Sequence, residues 1–295
     1  MRLEARGERR ERTPAMIWAF GALVLLSVSA LGEPLFVRRT AQMPEDTTVT
    51  GWRKHMIELK TGHFMFAADT GKKIHAIFRS QGLTVDCAKI EGNWVGPAQN
   101  ATLETATMTG GVRAVFTRHS QNPGSSAVQT TTVTGDTVTF TNAGFALHVI
   151  GSVHMDSDDP GAQQSLSMAG TSADIELSKP HTSGRAVRAA TVAGPVRFEM
   201  RGFRTDSSGN APARLPFTLN GLADRALFDD AARTVTLVGN VHLTADDPNL
   251  GGDQNVDKET IYLAPDGSVD RVEGEGNPGT TTFIQKVKSG GGKRK

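Results

Sequence analysis

Four copies of one short motif limit what this chain can fold into. The motif is a glycine, any residue, a valine, and then an arginine or a histidine, and its copies begin at Gly110, Gly151, Gly194 and Gly239. Successive copies are 41, 43 and 45 residues apart. A nearly constant period of this length indicates duplicated structural units joined by variable connections. We call this motif the glycine motif.

Two of the copies agree over a longer stretch. Residues 147–155 match residues 235–243, and in both places Asp-Asp-Pro follows at the same distance, so that every matched position is shifted by 88. Agreement in both spacing and chemistry over this length indicates a repeated unit rather than a chance recurrence of four residues.

Each copy lies in a stretch where apolar and polar residues alternate. Around the fourth copy, Val235, Leu237, Val241 and Leu243 share one face with the glycine, and polar residues such as His242 occupy the other. Alternation of this kind is typical of a strand with one buried face, as in antiparallel sheets. Because Thr, Val and Gly are frequent and aromatic residues make up only 6% of the chain, we predict an all-β protein.

By the same parity, the motif's valine faces the interior and its basic residue faces solvent. The leading glycines fall on the apolar face, so we interpret Gly110, Gly151, Gly194 and Gly239 as structural glycines at which a strand bends or bulges. The alternation also predicts a set of inward-facing side chains that could line an apolar groove: Val112, Phe116, Leu147, Val149, Val153, Met155, Val196, Phe198, Leu237, Val241 and Leu243.

The N-terminal region carries a membrane signal. Residues 15–32 are uncharged and almost wholly apolar, and five arginines precede them. A stretch of this length can cross a bilayer as a helix, and the arginines would leave the N-terminus in the cytoplasm. The alternative is a cleaved signal peptide, for which Val28-Ser29-Ala30 supplies small residues at a cleavage site. With either interpretation, the bulk of the chain is expected outside the cytoplasmic membrane.

Shorter signals predict the remaining organisation. Residues 63–69 and 74–78 are expected to pair as a hairpin, and the polar segments 118–130, 156–170, 204–214 and 245–256 are expected to be loops. We therefore divide the chain into a cytoplasmic N-terminus (1–14), a transmembrane helix or signal peptide (15–32), a linker (33–56), a β-domain (57–288) and a disordered basic tail (289–295).

Several kinds of function receive little support from the residues. The formal net charge is only +1 and the positive excess lies at the two termini, leaving the middle of the chain with a net negative charge, which does not favour nucleic-acid binding. The single cysteine, Cys87, allows no intrachain disulfide and is expected to be a small buried residue. Neither a nucleophile elbow nor a phosphate-binding loop is present in the sequence, and no cofactor is expected.

Charged residues of the repeats have alternative interpretations. Asp158, Asp159, Asp246 and Asp247 could bind calcium, but aspartate before proline is ordinary turn chemistry, which we favour. His154 and His242 lack a partner at metal-ligand spacing, so we expect them to be solvated strand residues and expect no metal site. Arg113 and Arg197 could contact a lipid phosphate, although a solvated strand face is the favoured interpretation.

Two segments carry a resemblance to a known family. Residues 237–246 are similar to a pattern of Gly-Asn-Val followed by a strand that ends in Ala-Asp, and residues 272–277 end in a related Gly-Glu-Gly-Asn sequence. Together with the N-terminal apolar segment and the repeated strands, these segments give the chain a resemblance to the OstA-like superfamily. The resemblance covers residues 57–285. This superfamily includes the A and C periplasmic components of the lipopolysaccharide export machine.

The resemblance implies a fold and a function. The fold would be a curved antiparallel β-jellyroll, or V-shaped β-sandwich, preceded by one transmembrane helix. The protein would be a non-enzymatic conduit that carries lipopolysaccharide or a similar glycolipid from an inner-membrane ABC transporter towards the outer membrane. Its partners would be the transporter's permease subunits and other OstA-like jellyrolls, joined through edge strands. A retained anchor in the inner membrane resembles the C component, and a cleaved signal that leaves a soluble periplasmic protein resembles the A component.

Two other classes of function stay open at this point. A structural or adhesive β-repeat module at the cell surface would show the same duplicated strands without a lipid groove. A glycan-processing enzyme on a β-sandwich would need two converging carboxylates, which can be distant in sequence. The regular period favours a scaffold or a conduit over a single asymmetric catalytic site.

Overall fold

The computed structural model describes residues 47–79, 82–96, 102–119, 126–178, 187–206, 213–246, 250–264 and 269–285. These ranges contain sixteen β-strands and no α-helix. The strands are β1 (Thr47–Thr50), β2 (Lys54–Ile57), β3 (His63–Ala67), β4 (Ile74–Phe78), β5 (Leu83–Cys87), β6 (Lys89–Val95), β7 (Thr102–His119), β8 (Val128–Thr141), β9 (Ala146–Asp159), β10 (Gln164–Leu177), β11 (Val187–Asp206), β12 (Ala213–Asp229), β13 (Thr234–Asp246), β14 (Leu250–Leu263), β15 (Val269–Glu275) and β16 (Thr280–Gln285).

All the strands belong to one sheet, and every pairing in it is antiparallel. The eight long strands β7 to β14 pair in chain order, each with the next. The prediction of an all-β antiparallel protein is confirmed. Each repeat of the glycine motif corresponds to one pair of long strands, because the four copies lie on β7, β9, β11 and β13.

The long strands share an interruption near their middle. Each of the seven pairings from β7·β8 to β13·β14 shifts its register there, for example between Ala193 and Val196 of β11 and between Val238 and Val241 of β13. The interruptions align across the sheet and divide it into two halves. The first half-sheet contains residues 234–238 of β13 and their neighbours, and the second contains residues 241–246 and theirs. We call the line between them the bend.

The two half-sheets face each other across one apolar core. Alternate side chains of both halves are buried in a single cluster that runs from Phe64 on β3 to Leu263 on β14. Met155 and Met200 of the second half-sheet and Phe228 and Val235 of the first line the same internal cavity. The sheet therefore turns back on itself at the bend, and each long strand contributes to both sides of the core.

Short strands complete each half-sheet separately at the two ends. β6, β3 and β2 extend the first half-sheet from β7, whereas β5, β4 and β1 extend the second. At the other end, β15 and β16 both pair with β14, one in each half. The predicted hairpin between residues 63–69 and 74–78 is therefore wrong. The turn that joins β3 to β4 leads from one half-sheet to the other, because both segments have an apolar face that the facing halves bury.

Two further expectations differ from the structure. Strand β1 lies within residues 33–56 and β2 begins at Lys54, so the linker does not extend to residue 56. Two predicted loops are mostly strand. Only residues 160–163 separate β9 from β10 within residues 156–170, and within residues 245–256 β13 continues to Asp246 and β14 begins at Leu250. Their many Ser and Asp side chains mark the ends of long paired strands, where cross-strand hydrogen bonding overrides low strand propensity.

Other expectations fall outside the described residues. These are the N-terminal segment 1–14, the apolar segment 15–32, the linker up to residue 46 and the basic tail 289–295. Among the residues that are described, no helix has the length and apolar character needed to cross a membrane.

Candidate functional site

All eleven side chains predicted to line the interior are buried in the core. None is more than 5% exposed, and they pack against one another and against the rest of the core cluster. Leu147, Val149 and Leu237 belong to the first half-sheet, and the others belong to the second. Met155 also borders the internal cavity. The structure thus brings these residues together as a close-packed interior rather than as an open groove.

The four motif glycines lie on the bend. Gly110, Gly151, Gly194 and Gly239 all have φ between 77° and 91°, in the left-handed region that favours glycine. The next residue is also left-handed in three copies, where Gly111, Ser152 and Asn240 have φ of 69°, 47° and 46°. In the remaining copy this position is Pro195, which cannot adopt such a φ. The register shifts of β7, β9, β11 and β13 fall at these positions.

The direction in which these glycines face corrects the parity argument. A Cβ at Gly151, Gly194 or Gly239 would lie closer than 3.0 Å to a side chain on the neighbouring strand, namely Asp136, Thr171 or Asp224. Those three side chains are exposed, so the glycines face the outer side of the bend and not the interior. The alternation of faces along the strand predicts the inner face for these glycines, and that prediction is wrong because left-handed residues rotate the strand at that point.

A second set of glycines lies on the inner side of the bend. A Cβ at Gly135, Gly170 or Gly221 would lie within 2.8 Å of an inward side chain of the next strand, these being Val149, Val192 and Leu237 respectively. These glycines belong to β8, β10 and β12, which alternate with the strands that carry the glycine motif. The sequence analysis did not identify this set. A sequence feature that could have done so is the polar residue that follows each of these glycines within three positions, because that residue (Asp136, Thr171 or Asp224) packs against a motif glycine.

The basic residues of the motif form a row on the outer face of the second half-sheet. Backbone pairing places His154 opposite Ala169, which is opposite Arg197, and Arg197 is opposite Leu222, which is opposite His242. His154, Arg197 and His242 line a shallow surface depression of about 570 Å³.

Most of these residues have polar partners on the surface. His154 Nε2 lies 2.8 Å from Asp156 Oδ2, and His242 Nδ1 lies 2.9 Å from Asn255 Oδ1. Arg113 is 4.0 Å from Asp86. This arrangement agrees with a solvated strand face.

The two half-sheets approach each other again on the side away from the bend, which we call the mouth. An internal cavity of about 50 Å³ lies there between them. Its lining includes, from the second half-sheet, Gln129, Met155, Ser157, Asp159, Gln164, Ser165, Leu166 and Met200 and, from the first, Val187, Phe228, Val235 and Leu263. We call it the mouth cavity. It combines an apolar wall on one side with a mixed polar wall on the other.

The polar wall of the mouth cavity is built from neighbouring strands. Ser157 Oγ lies 3.3 Å from Gln129 Nε2 and 3.2 Å from Thr131 Oγ1. Asp159 Oδ1 accepts a hydrogen bond from the backbone N–H of Ala162 at 3.0 Å, so this aspartate stabilises the turn between β9 and β10. Gln129 Oε1 is buried and has no hydrogen-bond partner among the described residues.

Arg118 links the two half-sheets at the mouth. Its guanidinium donates a hydrogen bond to the backbone carbonyl of Ser178, which follows the first-half segment of β10. Partial burial lowers the pKa of Arg118, although an arginine remains charged at any physiological pH. This charged hydrogen bond joins the second half-sheet to the end of β10 in the first.

Glu259 is a buried carboxyl at the C-terminal end of the core. It lies on β14 with no exposed surface and shares its inward face with Ile261. With the Gln254 amide oriented so that its nitrogen faces the carboxyl, that nitrogen lies 2.9 and 2.8 Å from Oε1 and Oε2 of Glu259. Burial raises the pKa of Glu259 to about 7. This contact joins the two half-sheets near β15 and β16.

Three candidates from the sequence remain: the single cysteine, the Asp-Asp-Pro residues and a metal site. Cys87 has no exposed surface, and burial raises the pKa of its thiol to about 12. Asp247 and Pro248 lie outside the described residues. Across the described ranges, no group of three or more His, Cys, Asp or Glu side chains is arranged to hold a metal ion.

Comparison with known proteins adds no assignment to these observations. No protein-family model matches the chain, and no curated protein is significantly similar to it in sequence.

Proposed function

We propose that this chain is a non-enzymatic lipid-transfer conduit of the OstA-like type, and that its bent sheet is the β-jellyroll of that superfamily. The observation that supports the proposal is a continuous apolar interior between two half-sheets that are joined at the bend and share no strand pairing at the mouth within the described ranges. Acyl chains of lipopolysaccharide or a similar glycolipid would lie in this interior. Each methylene buried there contributes about 0.8 kcal/mol.

Lipid loading in this proposal requires the mouth to open. The interior side chains are close-packed, and the mouth cavity of about 50 Å³ has room for only a few atoms. Motion about the bend would separate the half-sheets without breaking the pairing within either of them. Arg118 would be the first contact to break.

The proposal also gives the ends of the sheet a role. β2 and β1 at one end and β15 and β16 at the other have no second strand neighbour among the described residues. All four residues of β2 are exposed. Unpaired edge strands accept further strands, so other OstA-like jellyrolls and the permease subunits of an ABC transporter are the proposed partners. The proposed location is the periplasm, with an inner-membrane anchor or, after signal cleavage, in soluble form.

A photo-crosslinking residue at two adjacent positions of β9 tests the proposal. Met155 faces the mouth cavity, whereas His154 faces the outer surface one residue earlier in the same strand. In cells that make lipopolysaccharide, we expect lipid adducts at position 155 and few at position 154. Equal crosslinking at the two positions, or none at 155, would contradict an internal lipid path.

One observation favours a second candidate function, a structural or adhesive β-repeat module. The eleven interior candidates are buried as completely as an ordinary core. A scaffold would keep this core closed. The same crosslinking pair separates the two functions, because a scaffold gives no lipid adduct at either position while its edge strands still join partners.

A further inference from the structure

Gln129 has an unusual position in the mouth cavity. It lies on β8, its side chain is 95% buried, and it forms part of the cavity wall. Its Nε2 has Ser157 Oγ as a partner, but its Oε1 has none among the described residues. A buried carbonyl oxygen without a donor is destabilising unless something that enters the site supplies one.

The surroundings of Gln129 indicate which class of ligand could supply this donor. The opposite wall of the cavity is apolar and includes Val187, Phe228 and Leu263. A ligand that reached Gln129 Oε1 would therefore place an N–H or O–H beside the amide and an apolar chain against the other half-sheet. This combination describes an amphiphile rather than a sugar or an ion.

The acceptor character of Gln129 Oε1 narrows the class further. A carboxylate or an ionised phosphate placed beside this oxygen would bring only acceptors and no donor. Neutral head groups are therefore favoured over anionic ones at this position.

We propose, on the basis of the lipid-conduit function above, that the mouth cavity selects acyl or alkyl chains that carry a neutral hydroxyl or amide donor, which hydrogen-bonds to Gln129 Oε1. The present cavity of about 50 Å³ holds the donor group and the first atoms of the chain. The rest of the chain extends between the half-sheets once Arg118 releases the mouth. Gln129 thus acts as a specificity residue where the chain enters the interior.

The test compares three ten-carbon probes: 1-decanol, decyl methyl ether and decanoate. Each displaces an apolar fluorescent dye from the full chain. Decanol is expected to bind about tenfold more tightly than the ether, the effect of one satisfied hydrogen bond, and decanoate more weakly than decanol. In Gln129→Met, which has a similar shape and no oxygen, the preference for decanol over the ether is expected to disappear. In Thr131→Val, which removes the hydroxyl that contacts Ser157 Oγ but leaves Gln129 Oε1 in place, the preference is expected to remain.

The outcomes separate this inference from the proposed function. Equal affinity for decanol and the ether in the wild-type protein, or a preference that survives in Gln129→Met, would overturn the role of Gln129 while leaving the conduit intact. Such a result would mean that ordinary water satisfies Oε1. Failure of all three probes to displace the dye would count against both this inference and lipid uptake by the interior.

Discussion

Asp224 of β12 occupies the space into which a side chain at residue 239 of β13 would project. A Cβ at Gly239 would lie closer than 3.0 Å to the Asp224 carboxylate, and the adjacent Asn240 donates a hydrogen bond from Nδ2 to Asp224 Oδ2 at 2.8 Å. The glycine and the aspartate therefore depend on each other. Asp136 and Gly151 repeat this relationship two repeats earlier.

Substitution of Gly239 by alanine should destabilise the bend more than the backbone conformation alone explains. Gly71 has a similar φ of 75° with open space around it, so Gly71→Ala isolates the cost of a left-handed alanine, about 1–2 kcal/mol. Gly239→Ala has the same cost plus the clash with Asp224, and we expect an additional loss of about 1 kcal/mol or more. Chemical denaturation of both variants measures the difference. Equal losses would show that the crowding is relieved at no cost, and Asp224→Ala should partly rescue Gly239→Ala.

Removal of the Arg118 contact should loosen the mouth. Arg118→Met keeps the apolar stem but loses the hydrogen bond to the Ser178 carbonyl, with an expected cost of about 1.5–3 kcal/mol. Amide hydrogen exchange near residues 126–131 and 175–178 should accelerate, and an apolar dye should bind several-fold faster. Arg113→Met on the same strand is the control, because Arg113 is exposed and 4.0 Å from its partner. An unchanged exchange pattern in Arg118→Met would show that the packing alone closes the mouth.

Stability should depend on pH through Glu259. Its pKa is raised to about 7 in the folded protein, above the ordinary value of 4.5. The protonated form is therefore favoured by folding, and this contribution is fully present below pH 4.5 and is lost as the pH rises through 7. The stability advantage of Glu259→Gln over the wild-type protein should be larger at pH 8 than at pH 5, as measured by urea unfolding at both values. The opposite order would mean that the carboxylate is stabilised in the fold.

Cys87 should report on opening of the core. It has no exposed surface and its thiol pKa is raised to about 12 by burial, so the native protein should react with a thiol reagent at pH 8 far more slowly than an exposed cysteine does. Thr70→Cys supplies the exposed reference in the same molecule, because Thr70 lies in the turn between β3 and β4. Comparable rates at positions 70 and 87 would show that the N-terminal part of the core opens readily.

The strand periodicity predicted much of the interior because it is a local property. Alternation along β9 and β13 placed Val153 and Val241 inside, and both are buried. The same alternation predicted the wrong face for the motif glycines, which lie between the two halves of each strand. Left-handed residues at the bend, two in succession in three of the four copies, change the direction of the following side chains, and a sequence pattern with a period of two does not register that change.

The alternation along single strands did not predict which strands pair or where isolated polar side chains lie in the core. The turn at residues 70–73 showed where the chain reverses, but not that β3 and β4 would find partners in different half-sheets. Gln129 and Arg118 lie in threonine-rich strand sequence with no local signature. Glu259 did carry a signal, since it shares inward parity with Ile261 and Leu263. A charged residue at such a position is worth noting in any β-repeat sequence.

The match between the glycine repeat and one pair of long strands bears on how such a protein can change in length. Each pair crosses the bend twice and pairs only with its immediate neighbours in the chain. Duplication or deletion of one 41- to 45-residue unit would therefore lengthen or shorten the molecule by two strand spacings, about 9.6 Å, without disturbing the remaining pairs. The distance spanned between two partners could thus evolve in discrete steps of one gene-segment duplication.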